Sequence, residues 1–285
     1  MTSQLPPIEL TRIVAAALAE DLGRGDITTD ACVPPNVQGR CAFRARTELV
    51  LTAGAIIGEV FRQVDPAVQV HDLALDGTRL SAGAVIARVT GPAASLLKGE
   101  RVALNFLQRL CGVATLTRRY VDALPAGSRT RIVDTRKTTP GLRALERRAV
   151  RAGGGHNHRE DLSSAVLIKD NHVAAAGGIT AAITRCREQA PHTSRIECEV
   201  DSLEQLDEAL AAHADIVLLD NFDDAQVQRA IAVNAASDWR ALLEASGGIT
   251  LARVTKLAQL GVDVISVGAL THSAPAVDIG LDWEP

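Results

Sequence analysis

The chain has 285 residues, of which 47% are hydrophobic and 2% aromatic, and its formal net charge is -4. A chain of this length can bury a sizeable core, in one large domain or two ordinary ones, built mainly from Ala, Val, Leu and Ile. The acidic balance argues against nucleic-acid binding, which favours stripes of Lys and Arg on a basic protein. No sequence run resembles a membrane span of about 18 apolar residues, so we expect no membrane partner.

The five cysteines indicate a reduced compartment. Their number is odd and no CxxC spacing occurs, which argues against a disulfide framework. The first residues, MTSQLPPIELTRIV, lack the basic and then apolar layout of a secretory signal. We therefore expect a cytoplasmic protein.

The segment before about residue 110 mixes helices with antiparallel strands. Apolar residues at helical spacing predict a helix over 8–22, and 53–64 is a second candidate. Apolar residues alternate with arginines over 41–46, which is typical of a half-buried strand. Glycine turns predict further strands between 68 and 89. A long helical zone follows over 93–124, with Gly112 as a candidate break.

After Pro125 the pattern changes to repeated strand–helix units, which predict a parallel sheet. The predicted strands are 130–134, 165–169, 195–200, 215–219, 241–245 and 262–267, and the predicted helices include 178–189, 203–212, 225–234 and 251–260. No GxGxxG motif follows the first strand, so a dinucleotide-binding sheet has no support. Polar residues end all of these strands, and the carboxyl ends of barrel strands converge on one rim. We therefore predict a TIM-like barrel with a pocket at that rim.

Potential cations are concentrated between residues 131 and 173, at Arg136, Lys137, His158, Arg159 and Lys169. Gly, Thr, Asn and His crowd around them, and these residues suit backbone approach and hydrogen bonding. Arg can bind a carboxylate through two parallel hydrogen bonds, whereas Lys acts as a point charge. The pattern predicts a pocket for a compact, multiply charged anion, and a chance cluster of solvated charges is the alternative.

Glycine-rich turns follow the last two predicted strands, in ASGGI (245–249) and SVGAL (266–270). Such turns let backbone amides approach a phosphate at a helix N-terminus. Glu199 and Asp220 end neighbouring strands, and hard oxygen ligands of this kind hold Mg²⁺ together with substrate oxygens. Each carboxylate could instead pair with Lys137 or Lys169, or face a developing positive charge directly.

The combined motifs resemble the quinolinate phosphoribosyltransferase family, the decarboxylating nicotinate-nucleotide pyrophosphorylases of NAD synthesis. They are EDLGRGDITTD, GERVALNFLQRLCGVAT, DTRKTTPGLR, AVRAGGGHNHR, LIKDNHV, ECEVDSLEQLDEAL, LLDNF, EASGGI and SVGALTHS. The resemblance implies a type II phosphoribosyltransferase fold of the α/β class. It comprises an N-terminal α/β sandwich-like domain (1–112) and an incomplete TIM-like α/β barrel (113–285). The N-terminal helix and the C-terminal tail can pack across that boundary.

The resemblance also implies the reaction, in which quinolinate and phosphoribosyl pyrophosphate give nicotinate mononucleotide, CO₂ and pyrophosphate with Mg²⁺ present. It implies a homodimer in which Arg101 of one subunit reaches the quinolinate of the other. The positions that match the dicarboxylate site are Arg136, Lys137, His158, Arg159 and Lys169. Those that match the ribose and metal site are Glu199 and Asp220, and those that match the phosphate site are Ser246, Gly247, Gly248 and Gly268. Thr135, Val267 and Ala269 complete the predicted binding set. Lys137, Lys169, Glu199 and Asp220 are the predicted catalytic residues.

The chain departs from the family pattern at two places. Arg147 and Arg148 stand where the family has Lys and an aromatic residue, and Glu160 and Asp161 replace an apolar residue and Gly. We expect both acids to face solvent, because an inward Glu160 would weaken dicarboxylate binding.

Three alternative functions stay open at this point. One is a paralogue, such as the molybdenum-associated ones, that acts on another small acid. The second is a barrel aldolase or isomerase with Lys169 as a Schiff-base lysine, which requires a mostly apolar pocket. The third is a metabolite-binding protein without turnover.

Overall fold

The computed structural model describes residues 7–285, and the contacts within it divide the chain into two compact units. Unit 1 comprises the chain up to Arg118 with Thr138–Gly154 and Ala269–Pro285, and unit 2 comprises Arg119–Lys137 with Gly155–Gly268. The helices are α1 (Pro7–Leu22), α2 (Ile27–Cys32), α3 (Ala55–Val64), α4 (Ala93–Asp122), α5 (Arg143–Ala152), α6 (Asp170–Ala176), α7 (Ile179–Gln189), α8 (Leu203–Ala211), α9 (Asp224–Ala236), α10 (Leu251–Leu260) and α11 (Ala269–His272). The strands are β1 (Gln38–Ala45), β2 (Leu49–Val50), β3 (Gln69–His71), β4 (Arg79–Leu80), β5 (Val85–Pro92), β6 (Arg131–Val133), β7 (Val166–Ile168), β8 (Ile196–Val200), β9 (Ile216–Asp220), β10 (Leu242–Ser246), β11 (Val264–Ser266) and β12 (Ile279–Trp283).

Unit 1 is built on an antiparallel sheet in the order β12-β1-β5-β3. The predicted alternation of β1 holds, because Phe43 and Ala45 are fully buried while Arg44 lies partly exposed. The Nη2 atom of Arg44 donates to the Oε1 atom of Glu284 at 2.7 Å. Strand β12 was not predicted, because its short IGLDW sequence gives little periodicity. It forms the edge of the sheet that lies next to β1.

The helical zone predicted over 93–124 is one continuous helix, α4. The candidate break at Gly112 is wrong, since the helix passes through this residue without interruption. A Cβ atom at Gly112 would lie 2.1 Å from the carbonyl oxygen of Pro275. The glycine therefore serves close packing against residues 275–276 rather than a change of chain direction.

Unit 2 contains six parallel strands in the order β6-β11-β10-β9-β8-β7. All six predicted strands are confirmed, with ends that shift by one or two residues. Strands β6 and β7 form the two edges, so the sheet of the described residues is an open one, as an incomplete barrel requires. Within residues 7–285, no helix combines the length and the apolar character that a membrane crossing needs.

The two units are each made of several segments of the chain, so one domain boundary in the sequence does not separate them. The boundary predicted after residue 112 separates two continuous segments, whereas contacts assign 138–154 and 269–285 to the unit of the N-terminal residues. One reason is the pairing of β12 with β1. Another is an ion pair in which the Nη2 atom of Arg109 lies 2.7 Å from the Oε1 atom of Glu146.

The register of the parallel sheet decides which side chains share a face. Glu199 is aligned with Leu218, and Leu218 with Glu244. Because side chains alternate along a strand, Glu197, Glu199, Asp220 and Glu244 all project from the same face. Glu197 and Glu244 are buried, whereas Glu199 and Asp220 lie nearer the carboxyl ends and are half-buried. One face of unit 2 is therefore acidic where a sheet usually buries apolar residues.

Candidate active site

Glu199 and Asp220 line one pocket at the carboxyl ends of β8 and β9, and Asp170 and Asp201 contribute to the same pocket. Its volume is about 250 Å³. The side-chain amide of Asn221 donates to the Oδ2 atom of Asp220 at 2.8 Å and so fixes that carboxylate. The structure thus brings the two predicted carboxylates together, among oxygen donors of the kind that bind a hard cation.

Lys169 lies directly after β7, and its Nζ atom donates to the Oε2 atom of Glu199 at 2.5 Å. Its backbone amide donates to the Nδ1 atom of His172 at 2.9 Å, so His172 caps helix α6 and acts within the loop. The Lys169 side chain is 46% exposed. The amine is thus held in an ion pair at a partly exposed position, whereas a Schiff-base lysine needs a mostly apolar pocket.

The Thr135–Lys137 segment leaves the carboxyl end of β6 as a tight turn. The backbone amide of Lys137 donates to the Oγ1 atom of Thr135 at 3.1 Å. Arg136 is half-buried and Lys137 is exposed. Two neighbouring cations therefore lie just after the carboxyl end of β6.

The guanidinium of Arg159 is half-buried and only partly satisfied by the protein. Its Nη1 atom donates to the carbonyl of Ala165 at 3.2 Å, but its Nε atom is buried with no hydrogen-bond partner among the described residues. Burial, and then the charge of Arg136, lower the pKa of Arg159, and Glu197 opposes them. A half-buried guanidinium with an unused, buried Nε donor beside a second cation indicates a binding site for an anion.

Two carboxylates that the sequence analysis did not single out surround the ring of His158. The Nε2 atom of His158 lies 3.2 Å from the Oε2 atom of Glu197 and 3.6 Å from the Oε1 atom of Glu244. Burial lowers the pKa of His158, but the hydrogen bond and charge of Glu197, with Glu244 and Asp134, raise it overall. Glu197 is 4% exposed and Glu244 3% exposed, so neither is available to solvent.

A sequence signal for these two residues does exist. Each is an acidic residue inside an otherwise apolar strand, in IECEV and in LLEAS. Charged residues are rarely buried in this way without a partner or a task. Glu197 and Glu244 lie within their strands, whereas the predicted site residues lie at or after strand ends.

Asp134 ties the His158 segment to the end of β6. It is fully buried, and its Oδ1 atom accepts the backbone N–H of His158 at 2.7 Å. Its Oδ2 atom accepts the side-chain amide of Asn157 at 2.6 Å. The chain from Asn157 to Arg159 is therefore held by side chains from several strands of the sheet.

The predicted phosphate turn after β10 has left-handed backbone angles, with φ of +85° at Gly247 and +58° at Gly248. A Cβ atom on Gly247 would lie 2.1 Å from the Oδ1 atom of Asn221. The backbone amide of Asn221 donates to the carbonyl of Ser246 at 3.0 Å. Only glycine therefore fits at residue 247, and the turn leaves room for a ligand to approach the backbone.

The remaining predicted residues lie in both units. Val267 and Gly268 follow β11 in unit 2, whereas Ala269 begins α11 and Arg101 lies exposed on α4, both in unit 1. At the departures from the family pattern, Glu160 and Asp161 are exposed, as expected. In unit 1, the Nη2 atom of Arg148 donates to Asp76 at 3.1 Å.

Comparison with known proteins gives one consistent family. The model described as the N-terminal domain of quinolinate phosphoribosyl transferase matches residues 26–111, and that of the C-terminal domain matches 113–282. A probable nicotinate-nucleotide pyrophosphorylase [carboxylating] of Bacillus subtilis is 43% identical over 96% of this chain and 93% of its own length. The enzyme of that name from Mycobacterium leprae is 44% identical over 94% of this chain and 95% of its own length.

Solved structures agree with the sequence comparison. NadC from Streptococcus pyogenes superposes with a TM-score of 0.92 at 40% identity, over 99% of this chain and 100% of that one. The nicotinate-nucleotide pyrophosphorylase of Francisella tularensis gives a TM-score of 0.91 at 37% identity, over 99% and 98% of the two chains. The predicted fold class is therefore confirmed over nearly the whole length of the chain.

Proposed function

This chain belongs to the quinolinate phosphoribosyltransferase family, and on that premise we propose how its own residues bind and join two anionic substrates. The reaction transfers the phosphoribosyl group of phosphoribosyl pyrophosphate to quinolinate with loss of CO₂, a step of NAD synthesis. The observation that carries the proposal is the meeting of cations and carboxylates at the carboxyl ends of one parallel sheet. Lys169 supplies the positive side of this meeting and Glu199 the negative side, beside a pocket that Asp220 also lines.

Quinolinate presents two carboxylates on neighbouring ring positions, and the cations of unit 2 suit them. Arg159 has a buried Nε donor without a partner, and Arg136 lies close enough to repel it. A dicarboxylate between these guanidinium groups would relieve the repulsion and use the free donor. Lys137 and Lys169 would add point charges, and Arg101 of a partner subunit would complete the shell. His158 belongs to the same predicted set.

Phosphoribosyl pyrophosphate would lie across the acidic pocket and the glycine turns. The open backbone of Ser246–Gly248, with Gly268 after the next strand, suits the 5′-phosphate. Thr135, Val267 and Ala269 would complete the walls of the substrate site. Glu199 and Asp220 would face the ribose, where positive charge develops at C1.

A divalent cation fits the donors of this pocket, because four carboxylates line it and Mg²⁺ prefers such oxygen ligands. Glu199 and Asp220 would hold it, directly or through water. Bound there, Mg²⁺ would neutralise the pyrophosphate oxygens and make that group a better leaving group.

The bonds broken and formed assign tasks to the side chains. The ring nitrogen of quinolinate gives its electron pair to C1 of the ribose, and the C1–O bond breaks with its electrons leaving on pyrophosphate. Glu199 and Asp220 stabilise the cationic sugar, while Lys137 and Lys169 hold the anions. The quaternised nitrogen then accepts charge from the adjacent carbon, so the C2 carboxylate leaves as CO₂ and a proton replaces it.

The geometry of Lys169 bears on the aldolase alternative. The lysine is paired with Glu199 and nearly half-exposed. It is therefore suited to hold anions rather than to attack a carbonyl. A paralogue acting on another acid would transfer phosphoribose without releasing CO₂ from quinolinate, and a binding protein would show no turnover.

A homodimer and a cytoplasmic location complete the proposal. Arg101 is exposed on α4 and has the position that the family motif gives to the residue delivered across the dimer. The five cysteines are all free thiols, which fits a reducing compartment.

The direct test is a stoichiometric assay with the purified protein. Quinolinate labelled in its C2 carboxylate is mixed with phosphoribosyl pyrophosphate, and labelled CO₂ and pyrophosphate are measured with Mg²⁺ and after its chelation. We expect equal yields of both products and loss of turnover without the metal. Pyrophosphate without CO₂ from another pyridine or small acid would support the paralogue. Binding of quinolinate without either product would support the non-catalytic alternative.

A further inference from the structure

The proposed mechanism gives no task to Glu197 and Glu244, two buried carboxylates that form a cluster with the half-buried His158. Their ligand atoms all lie within 4.8 Å of one another. Glu197 and Glu244 come from β8 and β10 with β9 between them, so their side chains reach across the face of the sheet. Two carboxylates that are both nearly fully buried carry a substantial desolvation cost, which calls for a compensating role.

The hydrogen bonds of the His158 ring fix its tautomer. Its Nδ1 atom lies 2.7 Å from the backbone nitrogen of Arg159, which can only donate, so Nδ1 accepts and carries no proton. The single ring proton must then be on Nε2. That atom faces Glu197, with oxygens at 3.2 and 3.3 Å. His158 is therefore a bridge that accepts from Arg159 and donates to Glu197.

The same geometry argues against a metal ion in the cluster, although one His and two Glu are a plausible ligand set. A metal at Nε2 would require the lone pair there, and the ring proton would move to Nδ1. Nδ1 would then present its proton to the N–H of Arg159. These two donors face each other at 2.7 Å, so the metal-bound ring does not fit this backbone.

We propose that Glu197, with Glu244 behind it, is a positioning residue that holds the His158 ring and through it the main chain of Arg159. The inference rests on the proposed function, in which Arg159 binds quinolinate. The Oδ1 atom of Asp134 accepts the backbone N–H of His158 at 2.7 Å. Asp134 therefore holds the backbone of His158 while Glu197 holds its ring. A guanidinium binds a carboxylate through two parallel bonds more tightly when its backbone is already held in place.

The charge balance of the cluster supports this assignment. Burial, and then the negative charge of Glu197, raise the pKa of Glu244 to about 7. The Oε1 atom of Glu244 lies 3.6 Å from the Nε2 atom of His158, and an oxygen of Glu197 lies 3.2 Å from it, so the ring faces carboxylates from two strands. The charge of Glu197 also opposes the lowering of the pKa of Arg159, so this carboxylate acts on the guanidinium as well as on the His158 ring.

The kinetic test removes the acceptor and then restores it. Glu197→Leu removes the acceptor 3.2 Å from the Nε2 atom of His158 and leaves only the more distant Glu244 of this pair of carboxylates, so we expect the KM for quinolinate to rise at least about tenfold. The KM for phosphoribosyl pyrophosphate should change less than about twofold, because the glycine turns do not depend on Arg159. Glu197→Gln keeps a carbonyl oxygen for the same bond, so it should recover most of the affinity. Glu204→Leu makes the same change on the exposed face of α8 and should leave both constants unaltered.

Equal increases in the two KM values, or a Glu197→Gln variant as impaired as Glu197→Leu, would overturn the proposal. If Glu197→Leu fails to fold, the tautomer can be read in the unaltered protein. Long-range ¹H–¹⁵N spectra of histidine-labelled protein should show His158 with its proton on Nε2, assigned by loss of the signal in His158→Gln. A proton on Nδ1, or a tightly held metal ion that Glu197→Gln loses, would contradict the assignment. These readouts need no turnover, so they separate a failure of this inference from a failure of the proposed function.

Discussion

At the level of single residues, the burial of two neighbouring carboxyl groups, Glu197 and Glu244, costs free energy of folding. Glu244 is 3% exposed and lies beside Glu197, and these conditions raise its pKa to about 7 from the ordinary value of 4.5. Because the folded-state pKa is raised, folding takes up a proton between these values. The contribution of Glu244 to stability is therefore present at low pH and is lost as the pH rises from about 4.5 to about 7.

Glu244→Gln should remove this pH dependence, because the amide has the shape of the protonated acid and never ionises. The free energy of unfolding of the variant is compared with that of the unaltered protein at each pH. The advantage of the variant should be larger at pH 8 than at pH 5 by on the order of 2 kcal/mol. Urea titrations at both pH values measure the difference. A gain of the same size at pH 5 and pH 8 would show that Glu244 is ionised throughout.

Gly247 and Gly248, the two glycines after β10, allow a comparison of substitutions at neighbouring residues. Both have left-handed angles, but a Cβ atom on Gly247 meets Asn221 at 2.1 Å, whereas one on Gly248 meets nothing within 4 Å. Gly248→Ala should therefore cost only about 1 kcal/mol of backbone strain. Gly247→Ala should cost more and raise the KM for phosphoribosyl pyrophosphate at least about tenfold, because Asn221 must move. Thermal unfolding and steady-state kinetics distinguish the two, and equal effects would refute the steric argument.

At the level of elements, the sequence predicted what depends on local periodicity. The six strands and the four helices α7 to α10 were predicted because apolar spacing alternates with turn residues along this part of the chain, whereas α5 and α6 were not predicted. Glu197 and Glu244 were missed because their partnership depends on a register across three strands, which periodicity does not contain. The break at Gly112 failed because a glycine in a helix can mark close packing as well as an end.

Gly112 and Gly58 test that distinction, since both lie inside helices of unit 1. Alanine favours a helix over glycine by about 1 kcal/mol. Gly58→Ala meets nothing within 4 Å and should be neutral or stabilising by up to that amount. Gly112→Ala would place its methyl group on the Pro275 carbonyl and should destabilise by about 2 kcal/mol or more. Denaturant unfolding of both variants measures this, and a stabilised Gly112→Ala would disprove the packing role.

At the level of the whole molecule, neither the grouping of distant segments nor the assembly of subunits follows from local pattern. The pairing of β12 with β1 joins residues 240 positions apart, as Arg44 and Glu284 show. The family resemblance supplied the predicted delivery of Arg101 to another subunit, because the sequence of one chain contains no direct sign of a partner.

Mixing two inactive variants tests the shared site. Arg101→Ala and Lys137→Ala damage different subunits of one predicted site, so a hybrid dimer keeps one intact site of its two. Random exchange should restore up to about one quarter of the unaltered activity. The mixture is assayed for CO₂ release after subunits are exchanged in mild denaturant. A double variant, Arg101→Ala with Lys137→Ala, mixed with either single variant is the control and should stay inactive. No recovery in the first mixture, despite verified exchange, would refute delivery across an interface.

The late pairing of β12 has a consequence for how the protein comes to be folded during synthesis. Strand β1 leaves the ribosome long before its neighbour is made, so one of its edges stays without a hydrogen-bonded partner through most of translation. The residues of unit 2 between 155 and 268 emerge as one continuous stretch before β12 exists. They can therefore acquire their native contacts first, and the sheet of unit 1 is completed last, although translation begins there.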